Sequence, residues 1–172
     1  MGILKAIVVG VGHLGKEHAR IYAQHEDIQL LGVVDINFER AKEIAQIYDT
    51  RHYRSLEEVD SDFDIATVAV PTVEHYKITK ELLEKGKHVL VEKPITETVE
   101  QASALVQLSE QNQLVLQVGH VERYNPAIQA LATILDHPRF IECHRLSSFP
   151  NRGTDVGVVL DLMIHDIDII LH

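Results

Sequence analysis

The chain has a single cysteine, Cys143, among 172 residues, so no disulfide can close within it and neither a zinc ribbon nor a redox cysteine pair can be built. Basic residues are scarce as well: sixteen Lys and Arg stand against 26 Asp and Glu, for a formal net charge of −10. A surface of that sign repels nucleic-acid phosphates and anionic lipid, which sets aside nucleic acid and membrane as partners. No segment reaches the roughly 18 uncharged apolar residues of a membrane span. The first residues lack the basic start and apolar run of a secretory signal, and the sequence holds no internal repeat or low-complexity tract. With 45% hydrophobic and 24% charged residues, the expectation is a cytoplasmic globular chain of about one domain plus a remainder.

What is present is an alternation of short β-branched runs and amphipathic stretches, the pattern of a parallel sheet with crossover helices. It predicts strands over Ile3 to Val9, Ile28 to Asp35, Asp64 to Val70, His88 to Glu92 and Leu114 to Val118. Their apolar runs are continuous, so both faces of the sheet should be covered. Helices are predicted over Leu14 to His25, Phe38 to Tyr48, Val73 to Lys85 and Val99 to Asn112, with Gly86 as a stop signal and Thr98 with Gln101 as a capping box. After about Val121 the pattern changes to a helix (Pro126 to Leu135), a strand (Phe140 to Leu146), a loop rich in Ser, Pro, Asn and Gly, and a terminal helix from Val158. That tail is short for a free-standing domain, and the chain stops inside an apolar periodic run without a C-cap signal, which suggests a fragment of something longer.

Gly10-Val11-Gly12-His13-Leu14-Gly15 sits between a predicted strand and a predicted helix, the setting in which G-x-G-x-x-G signals a dinucleotide. Gly10 permits the tight turn, Gly12 lets a pyrophosphate approach the backbone, and Gly15 lets helix and strand pack closely, with His13 and Leu14 on the same cofactor-facing turn. The positive end of the helix then faces the phosphates. Asp35, twenty positions after Gly15, ends the second predicted strand, where a carboxylate can accept ribose hydroxyls and repel a 2′-phosphate. NAD is therefore favoured over NADP, although the nearby Arg40 keeps NADP open. The same residues also suit a plain tight turn with Asp35 as a solvated strand end, and related turns bind flavin.

Three further stations lie on the predicted map. In Val70-Pro71-Thr72-Val73-Glu74-His75, Pro71 stiffens the turn, Thr72 is a helix cap or a cofactor contact, and His75 is either near the nicotinamide ribose or a surface histidine. Glu92-Lys93-Pro94 places two charges at the carboxyl end of a buried strand, where Lys93 can stabilise an alkoxide as hydride leaves, or where the pair is simply a solvated terminus. Asp161, His165, Asp168 and His172 fall on one face of the terminal helix. That stripe reads as a polar edge in water, as a two-ligand metal site, or as a His165 base oriented by Asp161. No metal is expected.

Taken in order, these residues resemble the Gfo/Idh/MocA family of nicotinamide-dependent sugar and cyclitol oxidoreductases. The resemblance implies an α/β, doubly wound Rossmann domain over residues 1–122 and, over 123–172, the incomplete start of an α+β substrate domain that often mediates homo-oligomerisation. It also implies that Lys93, Asp161 and His165 are the catalytic group, with His165 taking the hydroxyl proton while Lys93 polarises that oxygen. By the same resemblance the cofactor contacts run through Gly10, Gly12, His13, Leu14, Gly15, Asp35, Pro71, Thr72, His75, Glu92 and Lys93. Arg123, Tyr124 and Asn125 line the substrate site beside Lys93 and His165; Asn125 before Pro126 also makes a good helix cap. The stretches Gly119 to Pro126 and Asp155 to Asp168 are most similar to the branch of the family that oxidises UDP-N-acetylglucosamine at C3, so the implied partner is a small sugar or sugar nucleotide.

Overall fold

The structure, a computed structural model, describes residues 2–144 and 157–172. The chain divides into two compact units, Met1–Val118 and Gly119–His172.

The first unit is a six-stranded parallel sheet built from β1 (Leu4–Val9), β2 (Ile28–Val34), β3 (Arg51–Tyr53), β4 (Ile65–Val68), β5 (His88–Val91) and β6 (Leu116–Val118), in the order β3-β2-β1-β4-β5-β6. Helices α1 (Gly15–Gln24), α2 (Phe38–Ile47), α3 (Thr72–Glu84) and α4 (Val99–Gln111) connect them. The five predicted strands and four predicted helices of this region are all present, each within a residue or two at its ends. β3 was not foreseen.

Side-chain alternation along the strands divides the core in two. Ile7 and Val9 of β1 join Val68, Val91, Leu82, Leu83 and Leu105 beneath α3 and α4, whereas Val8 joins Val33, Ala19, Ala41 and Ile44 beneath α1 and α2. Both faces are therefore covered, which is why the strand sequences read as unbroken apolar runs. Helix ends follow their chemistry. Thr98 accepts the Gln101 amide as the N-cap of α4. After α3, Gly86 adopts φ +72°, and the amides of Gly86 and Lys87 return to the carbonyls of Leu83 and Leu82 in a Schellman closure.

Strand register decides where function can lie. Tyr53, Val34, Val9, Val68, Val91 and Val118 form one row across the sheet, each paired with the next. The residues that follow them, among them Asp35, Gly10, Ala69 and Glu92, thus share a single carboxyl rim. The chain runs outward from β1 to β2 on one side and resumes at β4 on the other, the switch point at which open α/β sheets bind ligands.

The second unit begins with a 3₁₀ turn, Val121–Tyr124, and α5, Pro126–Ile134. The strand expected over Phe140 to Leu146 is not formed where it can be seen: residues 140–144 are irregular and the remainder lies outside the described residues, as does most of the Ser- and Pro-rich loop. Its alternating pattern has no neighbouring strand to pair with among the described residues of this unit. The terminal helix is present but opens with a π-helical turn, Val159–Met163, before α6, Ile164–Leu171. Such turns are rare and are found frequently at functional positions.

Candidate functional site

The glycine turn after β1 separates two kinds of requirement. Gly10 has φ +84°, and a Cβ there would stand 2.6 Å from the Ala69 carbonyl oxygen. A Cβ on Gly15 would lie only 1.7 Å from the Gly10 carbonyl oxygen, so α1 can start here only with glycine. Gly12 differs: among the described residues, the one neighbour within 4 Å of an added Cβ is Arg40 Nη1, at 3.5 Å. Its α-carbon thus faces open space, beside exposed His13 and Leu14, at the start of a helix whose N-cap, Leu14, supplies no side-chain hydrogen bond. Unobstructed backbone at a helix N-terminus is what a pyrophosphate needs.

Asp35 closes the other side of the turn. It is 8% exposed, and each carboxylate oxygen accepts one backbone amide: Oδ2 from Val11 at 2.9 Å and Oδ1 from Asn37 at 2.8 Å. Arg40 Nε stands 3.8 Å from Oδ2. An ionised carboxylate has about four acceptor positions, so fixing two of them leaves capacity for the hydroxyls of a ribose. The solvated-strand-end reading of Asp35 does not hold. Open backbone at Gly12, an uncapped helix start and a pinned carboxylate together fit an adenine dinucleotide.

At the next turn the structure corrects one expectation. Pro71, not Thr72, occupies the N-cap position of α3, and Thr72 is already its first residue and is buried. Proline fixes the φ of −57° there, and its carbonyl accepts the Glu74 amide at 2.9 Å. His75 is not a surface histidine either. It is 1% exposed, with Nδ1 2.8 Å from the Pro94 carbonyl oxygen and Nε2 2.9 Å from that of Val70.

Glu92 is likewise buried rather than solvated: its Oε1 lies 2.7 Å from Nε2 of His18, a residue of α1 that sequence reasoning passed over. A signal was available. Gly15, His18, Ala19 and Tyr22 recur at three- and four-residue intervals along one face of α1, and a histidine on a buried face needs a polar partner. One turn on, the Tyr22 hydroxyl meets Thr67 Oγ1 at 2.7 Å, and burial pushes that hydroxyl above its ordinary value. Lys93 follows Glu92 on the rim, half-buried, and the Lys93–Pro94 peptide is cis.

In the second unit, Arg123 Nε donates to Asp168 Oδ2 at 2.8 Å and a second guanidinium nitrogen reaches Oδ1. That bonding holds the Asp168 carboxyl below the usual carboxylate range, against the opposing effect of burial; the His120 ring, with Nδ1 3.7 Å away, adds to the lowering. Asp168 is therefore not part of a polar edge in water. Asn125 caps α5, its Oδ1 accepting the Ala127 amide at 3.0 Å while its Nδ2 donates to Glu122. Tyr124 is exposed, and Asp161 and His165 are half-buried. Among the described residues no cluster of three or more His, Cys, Asp or Glu could hold a metal ion, and no helix is long and apolar enough to cross a membrane.

Comparison with known proteins agrees with this geometry. The UDP-N-acetylglucosamine 3-dehydrogenase of Acidithiobacillus ferrooxidans is 41% identical over 165 residues, which are 95% of this chain and 52% of that protein. The solved structure of that enzyme superposes with a TM-score of 0.91 at 40% identity, covering 99% of this chain and 56% of its own. The structure of GenD2 from gentamicin A biosynthesis, in complex with NAD, superposes with a TM-score of 0.75 at 26% identity, covering 78% of this chain and 39% of its own. The chain spans about half the length of the curated relatives it matches. The oxidoreductase family described by its NAD-binding Rossmann fold matches residues 4–120, the stretch that holds the sheet, the glycine turn and Lys93, and the chain thus belongs to the Gfo/Idh/MocA family.

Proposed function

We propose that the chain carries the coenzyme-binding part of an NAD-dependent dehydrogenase that oxidises a sugar-nucleotide hydroxyl, C3 of UDP-N-acetylglucosamine. The observation that carries the reading is the pinned Asp35 carboxylate beside the open backbone of Gly12. The substrate assignment rests on the 41% identity to a UDP-N-acetylglucosamine 3-dehydrogenase. Gly12 and the start of α1 receive the pyrophosphate, and Asp35 accepts the adenosine ribose hydroxyls. When bound, nicotinamide supplies the hydride acceptor. The Lys93 ammonium donates to the substrate oxygen and stabilises the negative charge that grows there, and His165, oriented by Asp161, takes the hydroxyl proton. Tyr124 and Arg123, the latter set in place by Asp168, belong to the substrate side, with residues from Gly119 onward opening the second domain.

In the protein that carries this chain, Lys93→Ala should lower turnover of UDP-N-acetylglucosamine by about 10²- to 10⁴-fold while leaving NAD affinity unchanged. NADH absorbance reports the first and calorimetry the second. A nucleotide sensor of the same fold would be indifferent to the substitution. The Arg40 guanidinium beside Asp35 favours one second reading, an NADP-dependent reductase, which direct comparison of NADH and NADPH affinities decides.

A further inference from the structure

We infer that Lys93 is held for its task by two histidines, one half-buried and one buried, that grip the residues on either side of it, His18 through the Glu92 side chain and His75 through the Pro94 carbonyl. The inference deepens the dehydrogenase reading and rests on it for the importance of Lys93, but the contacts themselves do not depend on that reading. His18 Nε2 lies 2.7 Å from Glu92 Oε1, with the two side chains 17% and 10% exposed. His75, 1% exposed, spans from the Pro94 carbonyl oxygen at 2.8 Å to that of Val70 at 2.9 Å. Three consecutive residues therefore have a fixed point before and after the one in the middle.

The two histidines come from different places that the coenzyme would touch. His18 lies on α1, the helix that opens at the glycine turn, and Tyr22 bonded to Thr67 fixes the rotation of that helix one turn later. His75 lies in the first turn of α3, its ring set between the Val70 carbonyl and the Lys93–Pro94 segment. A lysine side chain carries four rotatable carbons and much rotamer freedom, so fixing its backbone narrows where the ammonium can go. Anchoring that backbone to both helices makes the position of the ammonium follow the coenzyme-binding turns. Displacement of a reacting group by about 1 Å costs roughly 100-fold in rate, which is the scale of effect such anchoring prevents. Histidines serving only as core filler would have no reason to converge on the two neighbours of one lysine. His18 and His75 are thus positioning residues.

The test uses the 172-residue chain and two readouts that do not need turnover. Trace acetylation read by mass spectrometry, with and without NAD, reports how NAD shields Lys93, and deuterium exchange of residues 92–96 reports the brace without coenzyme. In His18→Phe, NAD affinity should stay within about threefold of the unsubstituted chain, since Gly12 and Asp35 are untouched, and His75→Phe is read by exchange. Exchange over 92–96 should quicken by about tenfold or more, with β1 and β4 unchanged, and the NAD-dependent shielding of Lys93 should largely vanish. His18→Gln, which can still donate to Glu92, should restore most of the shielding. If a phenylalanine variant does not fold, the glutamine variants at both positions carry the test, His75→Gln giving an intermediate effect because it keeps an N–H donor but has one more rotatable bond. Unchanged exchange over 92–96, or full shielding of Lys93 in folded variants of both histidines, overturns the inference. Failure of NAD to bind the unsubstituted chain overturns the dehydrogenase reading instead, and the exchange comparison then still decides whether the brace exists.

Discussion

The Asp35 carboxylate accepts the Val11 amide at 2.9 Å across 24 positions of sequence, so the acid that follows β2 and the glycine turn that follows β1 are one bonded object. Removing the acid should therefore damage two properties together. Asp35→Ala leaves the buried Val11 amide and the Asn37 amide without their acceptor and should cost about 1–3 kcal/mol of stability. NADH affinity should fall by about 10- to 100-fold, since the ribose acceptor and the shape of the turn go at once. Thermal melts followed by circular dichroism and calorimetric titration with NADH read the two effects on the same sample.

Gly12 and Gly15 should separate what Asp35 combines. Among the described residues, a methyl on Gly12 meets only the end of the Arg40 side chain, at 3.5 Å, so Gly12→Ala should keep the melting temperature and lose dinucleotide affinity. A methyl on Gly15 would lie 1.7 Å from the Gly10 carbonyl oxygen, and Gly15→Ala should destabilise the fold by about 3 kcal/mol or more. If both variants melt alike, the open space at Gly12 has no special role.

The Arg123–Asp168 pair gives the second unit an acid dependence whose sign is fixed. The hydrogen bond from Arg123 depresses the Asp168 value in the folded state. Its stabilising effect is therefore complete above the unfolded value of about 4 and is lost as pH falls through the lower folded value. Asp168→Asn should be less stable than the unsubstituted chain near neutrality, and the difference between their melting temperatures should shrink below about pH 4. A gap that is independent of pH would mean that the carboxylate charge contributes nothing.

Thr98 offers a smaller effect free of any functional reading. Its hydroxyl accepts the Gln101 amide at the start of α4, and Thr98→Ala should cost about 1 kcal/mol. Thr98→Ser or Thr98→Asp should recover most of it, as urea unfolding midpoints would show.

Much of the first unit was legible because its signals are redundant. Strand runs buried on two faces, the Gly86 stop and the Thr98 cap each restate the same boundaries through different physics. The β3 strand escaped because it is three residues long, pairs only with β2 and buries only Tyr53, so it has no apolar run to read. Residues 140–144, the described part of the strand expected over Phe140 to Leu146, are irregular, since a strand exists only where another supplies its hydrogen bonds. Glycine turn and acid were readable at the site because their spacing along the chain mirrors the geometry of the βαβ unit. His18 and the true surroundings of His75 and Arg123 were not, because each depends on a partner distant in sequence: Glu92, Pro94 and Asp168.

Because all six strands run the same way, the first unit has a carboxyl rim that carries the glycine turn, Asp35 and Glu92, and an opposite rim that carries none of them. Glu84 and Lys85, both exposed, close α3 on that opposite side. An immobilising tether or reporter dye inserted there would stand a full strand length from the glycine turn, so the domain can be anchored to a surface with its nucleotide face turned outward.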